Sequence, residues 1–195
     1  MRIIAGTFRS RRLKSLPGMD IRPTSDRLRE TLFNVLAAGA ASLAGKVFVD
    51  LYAGTGAVGI EAVSRGASMV YFVESSKQAC DLIQQNLRAL SISSPCEVLR
   101  SEVVPAIHKL DARGIHGDIF FLDPPYRLES EYTRTLDALS SSKLLGEGAI
   151  VIAEHLKTFT APSQVGSLEQ FRTLKQGDAA LTFWRSGVLP QPPST

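Results

Sequence analysis

Between residues 46 and 154 the chain alternates short apolar runs with longer segments whose apolar residues recur at helical spacing. No other feature limits its possible folds so strongly. Strands are predicted over 46–51, 69–74, 97–100, 118–122 and 148–154, and helices over 58–65, 77–90, 103–110 and 132–139. Strand–helix repeats at this spacing form right-handed βαβ units, so the expected class is α/β, with a mostly parallel sheet flanked by helices. The end of the chain breaks the pattern. Segments 171–175 and 179–185 flank the turn Gln176-Gly177-Asp178 and read as an antiparallel hairpin closing one sheet edge, giving seven strands in all. Phe183 and Trp184 are read as core residues of that edge. Glu61, Lys77, Glu129 and Glu131 are read as solvated faces.

Ahead of the alternation, 2–6 and 12–16 read as short strands of a small β extension, followed by a Pro17-Gly18 turn. Thr24 or Ser25 can cap a helix running to residue 38, with Leu28, Leu32, Val35 and Leu36 on one face and Phe33 widening it. Residues 1–30 carry eight Lys/Arg against three acids, a net +5. Of the total +3, the remaining 165 residues therefore hold −2. A basic arm on a slightly acidic body points to a polyanionic partner, and a merely solvated tail is the competing reading. The expected organisation is a basic β extension over 1–24, one domain over 25–187 and a disordered tail over 188–195.

No apolar run approaches the roughly 18 residues of a membrane span, and the N-terminus has no signal core, so the expectation is cytoplasmic. Cys80 and Cys96 fit reduced thiols, and His108, His116 and His155 lack metal-ligand spacing, so no metal is expected.

Asp50-Leu51-Tyr52-Ala53-Gly54-Thr55-Gly56 lies between the first strand of the alternation and a helix, at the sheet edge where open α/β sheets bind ligands. Gly54 to Gly59 also satisfies G-x-G-x-x-G, and Glu74 stands 20 residues after Gly54, as a dinucleotide site would have it. Against NAD, Asp50 and three residues precede the first glycine. A carboxylate there suits a cation, such as the ammonium of S-adenosylmethionine, better than a pyrophosphate. The expected cofactor contacts are Asp50, Tyr52, Ala53, Gly54, Thr55, Gly56 and Gly59. Ser75 is a further expected contact; Glu74 would take both ribose hydroxyls, its competing reading being an ordinary exposed acid after a strand, and Glu102 the adenine amine, unless it serves its helix's dipole.

Asp123-Pro124-Pro125-Tyr126 follows the apolar run Ile119-Phe120-Phe121-Leu122. Two prolines remove two donors and stiffen the turn. They leave a carboxylate, carbonyls without a local donor and an aromatic face, a set that suits a planar group bearing an amine. With a methyl-donor site upstream, the pair points to methylation of an exocyclic amino nitrogen on a nucleobase.

Together these features resemble class I methyltransferases of the RsmD type, which methylate the N2 of one guanosine in bacterial 16S ribosomal RNA. The opening 2–6, the segment RPTSDRLRETLFN at 22–34, the Asp50 loop, Glu74, the Asp123 turn and the hairpin 177–183 fall in that family's order over nearly the whole chain. The resemblance implies a Rossmann-like domain, S-adenosylmethionine as cofactor and 16S rRNA, free or within the 30S subunit, as partner; a monomer is expected for lack of an obvious exposed apolar face. Asp123, Pro124, Pro125 and Tyr126 would be catalytic. Arg9, Arg11, Arg12 and Lys14 would contact RNA, as would Arg22 and Arg27 unless they brace the cofactor loop. Glu102 departs from the Asp expected beside the adenine, and Ser76 from a commonly acidic position. Two alternatives stay open: a DNA adenine-N6 or cytosine-N4 methyltransferase, which would use the same turn, and a non-catalytic RNA-binding assembly factor. A protein-glutamine methyltransferase would call for Asn at position 123.

Overall fold

The structure, a computed structural model, describes residues 1–15, 25–38, 42–93, 95–125 and 128–187. The Pro17-Gly18 turn, Arg22, Thr24, Tyr126 and the C-terminal tail lie outside the described residues. In chain order the elements are α1 (Asp26–Ala38), β1 (Val47–Leu51), α2 (Ala57–Ser64), β2 (Met69–Glu74), α3 (Lys77–Ala89), β3 (Cys96–Arg100), α4 (Val103–Ala112), β4 (Gly117–Leu122), α5 (Glu129–Ser140), β5 (Leu145–Leu156), β6 (Gln164–Val165), β7 (Leu168–Gln176) and β8 (Ala179–Ser186).

One sheet runs in the order β3-β2-β1-β4-β5-β8-β7-β6. The first five strands pair in parallel, and β8, β7 and β6 add antiparallel to β5. Strand order reverses between β1 and β4, which opens a crevice at their carboxyl ends. The sheet thus has one strand more than the seven expected. The extra one, β6, has two residues, too few for an alternation to register. Trp184 and Phe183 are fully buried, as expected, but β8 is an interior strand because β7 and β6 lie outside it.

Successive strand residues feed opposite layers, as the pleat requires. Phe48, Phe72, Phe121 and Phe183 meet α1, α2 and α3 on one face. Val49, Val73, Phe120 and Trp184 meet α4 and α5 on the other. Each such side chain contributes about 1.5–3 kcal/mol by leaving water. No helix among the described residues is long and apolar enough to cross a membrane. Ser25 caps α1, its Oγ accepting from Leu28 N at 3.1 Å.

The N-terminal arm is less regular than its sequence suggests. Only an isolated antiparallel bridge, Arg2 to Arg12, forms where two short strands were expected. Ile3 and Leu13 are buried as an inward-facing pair. The N–H of Ala5, which a longer ladder would use, and that of Ile4 both donate instead to the Glu61 carboxylate, at 3.0 and 2.8 Å. Glu61 is therefore no solvated residue: it is fully buried on α2.

Candidate active site

The register of β1 on β4 places Leu51 beside Leu122. The loop 52–56 and the Asp123 turn consequently leave the same sheet edge from neighbouring strands. Tyr52, Gly54 and Gly56 all have positive φ (64°, 53° and 77°) and bend the chain back into α2. Tyr52 is the costly one, because a side chain in the left-handed region clashes with its own backbone. The loop is pinned from below: Ala53 N donates to Val73 O at 2.9 Å, and Gly54 N to Glu74 Oε2 at 2.8 Å. The two outer glycines of the G-x-G-x-x-G pattern serve different needs. A Cβ on Gly54 would meet only Tyr52 O, at 3.9 Å, so the loop presents an open backbone face to a ligand. A Cβ on Gly59 would lie 2.3 Å from Cε1 of Phe72, so that glycine lets α2 pack on β2.

Asp50 is buried beneath the loop, its Oδ2 accepting from Gly59 N at 2.8 Å. Its pKa is pushed up to about 7, mainly by burial; the Gly59 hydrogen bond opposes this and the charge of Glu74 adds to it. Such a carboxyl gains from any cation brought to the loop. Glu74, half-buried at the end of β2, also accepts from Ser76 N at 2.8 Å, while Ser75 is exposed. Ser76 caps α3, its Oγ accepting from Ala79 N. That capping role suits serine at this position. Glu102 holds the N-cap position of α4 but makes no side-chain cap bond and is exposed. It stands two residues beyond the end of β3, at the same sheet edge.

On the other side of the crevice Asp123 is half-buried, Pro124 buried and Pro125 exposed. Leu128 N donates to Pro125 O at 2.8 Å, turning the chain into α5. Burial foremost, then the charge of Asp123, raises the pKa of Tyr132, whose hydroxyl donates to Glu154 O at 2.8 Å. The two halves of the site are joined directly. Tyr52 Oη lies 2.8 Å from Thr135 Oγ1 and donates to Glu131 Oε2 at 3.2 Å, and burial pushes its pKa up to about 12. Glu131 is thus engaged with the cofactor loop, contrary to its reading as a solvated residue; Glu129 and Lys77 are exposed as expected.

Behind the loop the arm is fastened by buried polar side chains. Besides the two arm amides, Glu61 takes Arg65 Nε at 2.8 Å and has Arg29 Nε at 4.0 Å. Arg29 is fully buried and donates to Arg2 O and to Asp26 Oδ1. Asn86 accepts from Lys14 N at 2.8 Å and donates to both Lys14 O and Thr55 O at 3.2 Å. Arg9, Arg11, Arg12, Lys14 and Arg27 are exposed.

A family model described as conserved hypothetical protein 95 matches residues 1–185. Ribosomal RNA small subunit methyltransferase D of Haemophilus influenzae is 34% identical over 155 residues, 79% of this chain and 78% of that one. The chain belongs to the RsmD methyltransferase family. The protein of the same name from Escherichia coli K12 is 33% identical over 79% of this chain and 74% of its own. Among solved structures, yhhF from Escherichia coli, described as a candidate methyltransferase, superposes with a TM-score of 0.84 at 26% identity, covering 96% of this chain and 98% of that one. Within the RsmD family frame the donor set fits S-adenosylmethionine. The open backbone at Gly54, the exposed Glu102 carboxylate and the buried Asp50 carboxyl, which a nearby cation would ionise, present acceptors to a cationic, donor-rich ligand.

The structure brings Asp50, the loop 52–56, Gly59, Glu74, Glu102 and Asp123 to one edge. Four supporting residues escaped the sequence reading: Glu61, Asn86, Glu131 and Thr135. Asn86 had a signal, since it lies between Ile83 and Leu87 on the buried face of α3. Glu131 and Thr135 had none, because their partner Tyr52 is about 80 residues away.

Proposed function

We propose that this protein transfers a methyl group from S-adenosylmethionine to the exocyclic N2 of a guanosine in bacterial 16S rRNA. One observation carries the reading: the Asp123-Pro124-Pro125 turn and the glycine loop leave adjacent parallel strands at the point where strand order reverses. An amine acceptor set therefore stands beside a site suited to a cationic cofactor.

When bound, S-adenosylmethionine supplies an electrophilic methyl group on a sulfonium. Glu74 would hold the ribose hydroxyls, Glu102 the adenine amine, and the backbone of 52–56 the amino-acid end. Asp50 acts from beneath the loop, its ionised form favoured by a cation above. The Asp123 carboxylate and Pro124 carbonyl accept the two hydrogens of the guanine amine, and Tyr126 stacks on the base. These bonds draw the nitrogen lone pair out of conjugation and aim it at the cofactor. Asp123 need not deprotonate a neutral amine, since the proton leaves once the nitrogen is cationic. Positioning and electrostatic stabilisation carry the rate. A guanine within a helix must be flipped out or presented from a loop to reach the turn.

Arg9, Arg11, Arg12, Lys14, Arg22 and Arg27 would contact phosphates, so RNA binding falls steeply with salt. The protein acts as a cytoplasmic monomer on free 16S rRNA or on the 30S particle. The deciding test incubates it with tritiated S-adenosylmethionine and, separately, unmethylated 16S RNA, 30S particles and duplex DNA, followed by nucleoside analysis. Label in N2-methylguanosine supports the reading. Label in N6-methyladenine or N4-methylcytosine overturns the base assignment, and absence of label despite cofactor binding favours the assembly-factor alternative.

A further inference from the structure

The N-terminal arm and the first two turns of α1 enclose a cleft of about 400 Å³ whose walls include Arg2, Arg9, Ser10, Asp26, Arg27 and Glu30. Its charge is not what the composition suggests. Asp26 is held by the buried Arg29 at 2.9 Å, and Arg2 approaches it only loosely, at 3.9 Å. Among the described residues the side chains of Arg9 and Arg27 make no ion pair. Three arginines therefore line a space in which Glu30 is the one acid lacking a basic partner among the described residues.

Two other cations of the arm turn elsewhere. Arg11 Nη2 donates to Ala89 O and Lys14 Nζ to Gln85 Oε1, both on α3. The cleft is also fixed relative to the catalytic edge, because Glu61 grips the arm at Ile4 and Ala5 and Thr55 Oγ1 reaches Met1 Sδ at 3.7 Å.

A site for a bare anion has no use for an exposed carboxylate. A ligand that brings an anion and a hydrogen-bond donor close together uses both. We propose that this cleft takes one ribose-phosphate unit of an RNA strand, with Arg2, Arg9 and Arg27 on the phosphate and Glu30 accepting from the 2′-hydroxyl. Arginine forks match phosphate oxygens, and the 2′-hydroxyl is the group that separates RNA from DNA. The inference rests on the RNA reading given above and deepens it: the arm would select RNA as well as hold it.

The test measures anisotropy of a labelled single-stranded RNA and of the DNA of the same sequence, at several salt concentrations, with the full chain. The double variant Arg9→Ala/Arg27→Ala is expected to lower RNA affinity at least tenfold and to flatten the salt slope by about 0.7, the share of one phosphate on a single strand, while Lys14→Ala has a smaller effect on both. Glu30→Ala is expected to narrow the RNA-over-DNA preference about tenfold without weakening DNA binding. Unchanged cofactor affinity and melting temperature show that the variants stay folded. Equal losses in Lys14→Ala and the double variant, or an unchanged preference in Glu30→Ala, would overturn the cleft while leaving base methylation intact. Label in DNA alone from the wild-type protein would remove both.

Discussion

The buried pair of Glu61 and Arg29 should dominate the response of this fold to mutation. Neither side chain has any exposure. Glu61→Ala withdraws the acceptor from Ile4 N, Ala5 N and Arg65 Nε, and leaves Arg29 with less opposing charge. Burial already lowers the pKa of Arg29, against the pull of Asp26 and then Glu61. Removing one partner of a buried pair costs about 3–5 kcal/mol. That is a large share of the roughly 5–15 kcal/mol that holds a typical domain folded. At about 2–4 °C per kcal/mol for a chain of this size, the melting temperature should drop by roughly 6–20 °C. The single tryptophan, Trp184, is fully buried, so urea unfolding followed by its fluorescence and by far-UV circular dichroism gives two independent probes. Hydrogen exchange supplies the specific readout: the Ile4 and Ala5 amides should lose protection in Glu61→Ala. Arg29→Met should cost less, because Arg65 still serves Glu61, and the double variant should be more stable than the summed single losses by about 1–3 kcal/mol. A loss below about 1 kcal/mol in Glu61→Ala, or strict additivity of the two changes, would refute the view that these charges form one unit.

Asp123→Ala should abolish turnover while leaving the cofactor dissociation constant unchanged in calorimetry; equal loss of both would remove its assigned role. Gly59→Ala should lower stability by about 1–3 kcal/mol through the clash with Phe72, whereas Gly54→Ala should cost about 1–2 kcal/mol for its positive φ and weaken cofactor binding as well. Asp50 has a folded pKa of about 7, raised from 3.8, so the folded state holds more protons than the unfolded one between those values. Stability should therefore decline as pH rises from about 4 to about 7 and level off above, and Asp50→Asn should flatten that stretch of the urea midpoint profile.

The alternation of residues 46–154 could be read because β1, β2 and β4 are buried on both faces and each carries an unbroken apolar stretch: Val47 to Val49, Met69 to Val73 and Ile119 to Leu122. What failed to register was polar and long-range. Glu61 looks like a solvated acid when helical position is the only guide. Yet its helix, AVGIEAVS, is apolar on nearly every side, and a helix buried all round must bury its acid too. The arm shows the opposite error. Two short strands were expected there, but periodicity cannot tell whether an amide bonds to a strand or to a carboxylate 57 residues away. The glycine loop and the Asp123 turn could be located because each is a local motif. The Tyr52 contacts to α5 that join them depend on tertiary packing.

Asn86 bears on how independent the basic arm is of the cofactor site. It touches no catalytic group, but its amide is shared between Lys14 on the arm and Thr55 in the glycine loop. Thr55 is also bonded to Met1 through its hydroxyl. The arm is thus part of the wall behind the loop. Asn86→Ala should cost about 1–3 kcal/mol, since it strands buried backbone groups. It should also weaken cofactor binding without any lost ligand contact. Asn86→Asp separates the two effects: a carboxylate still accepts from Lys14 N but cannot donate to Lys14 O or Thr55 O. If the shared donor sets the loop, Asn86→Asp should retain arm protection in hydrogen exchange and lose cofactor affinity, by calorimetry, as much as Asn86→Ala does. Unchanged affinity in both variants would mean that Asp50, Glu74 and Val73 hold the loop alone and that the arm does no more than bind its partner.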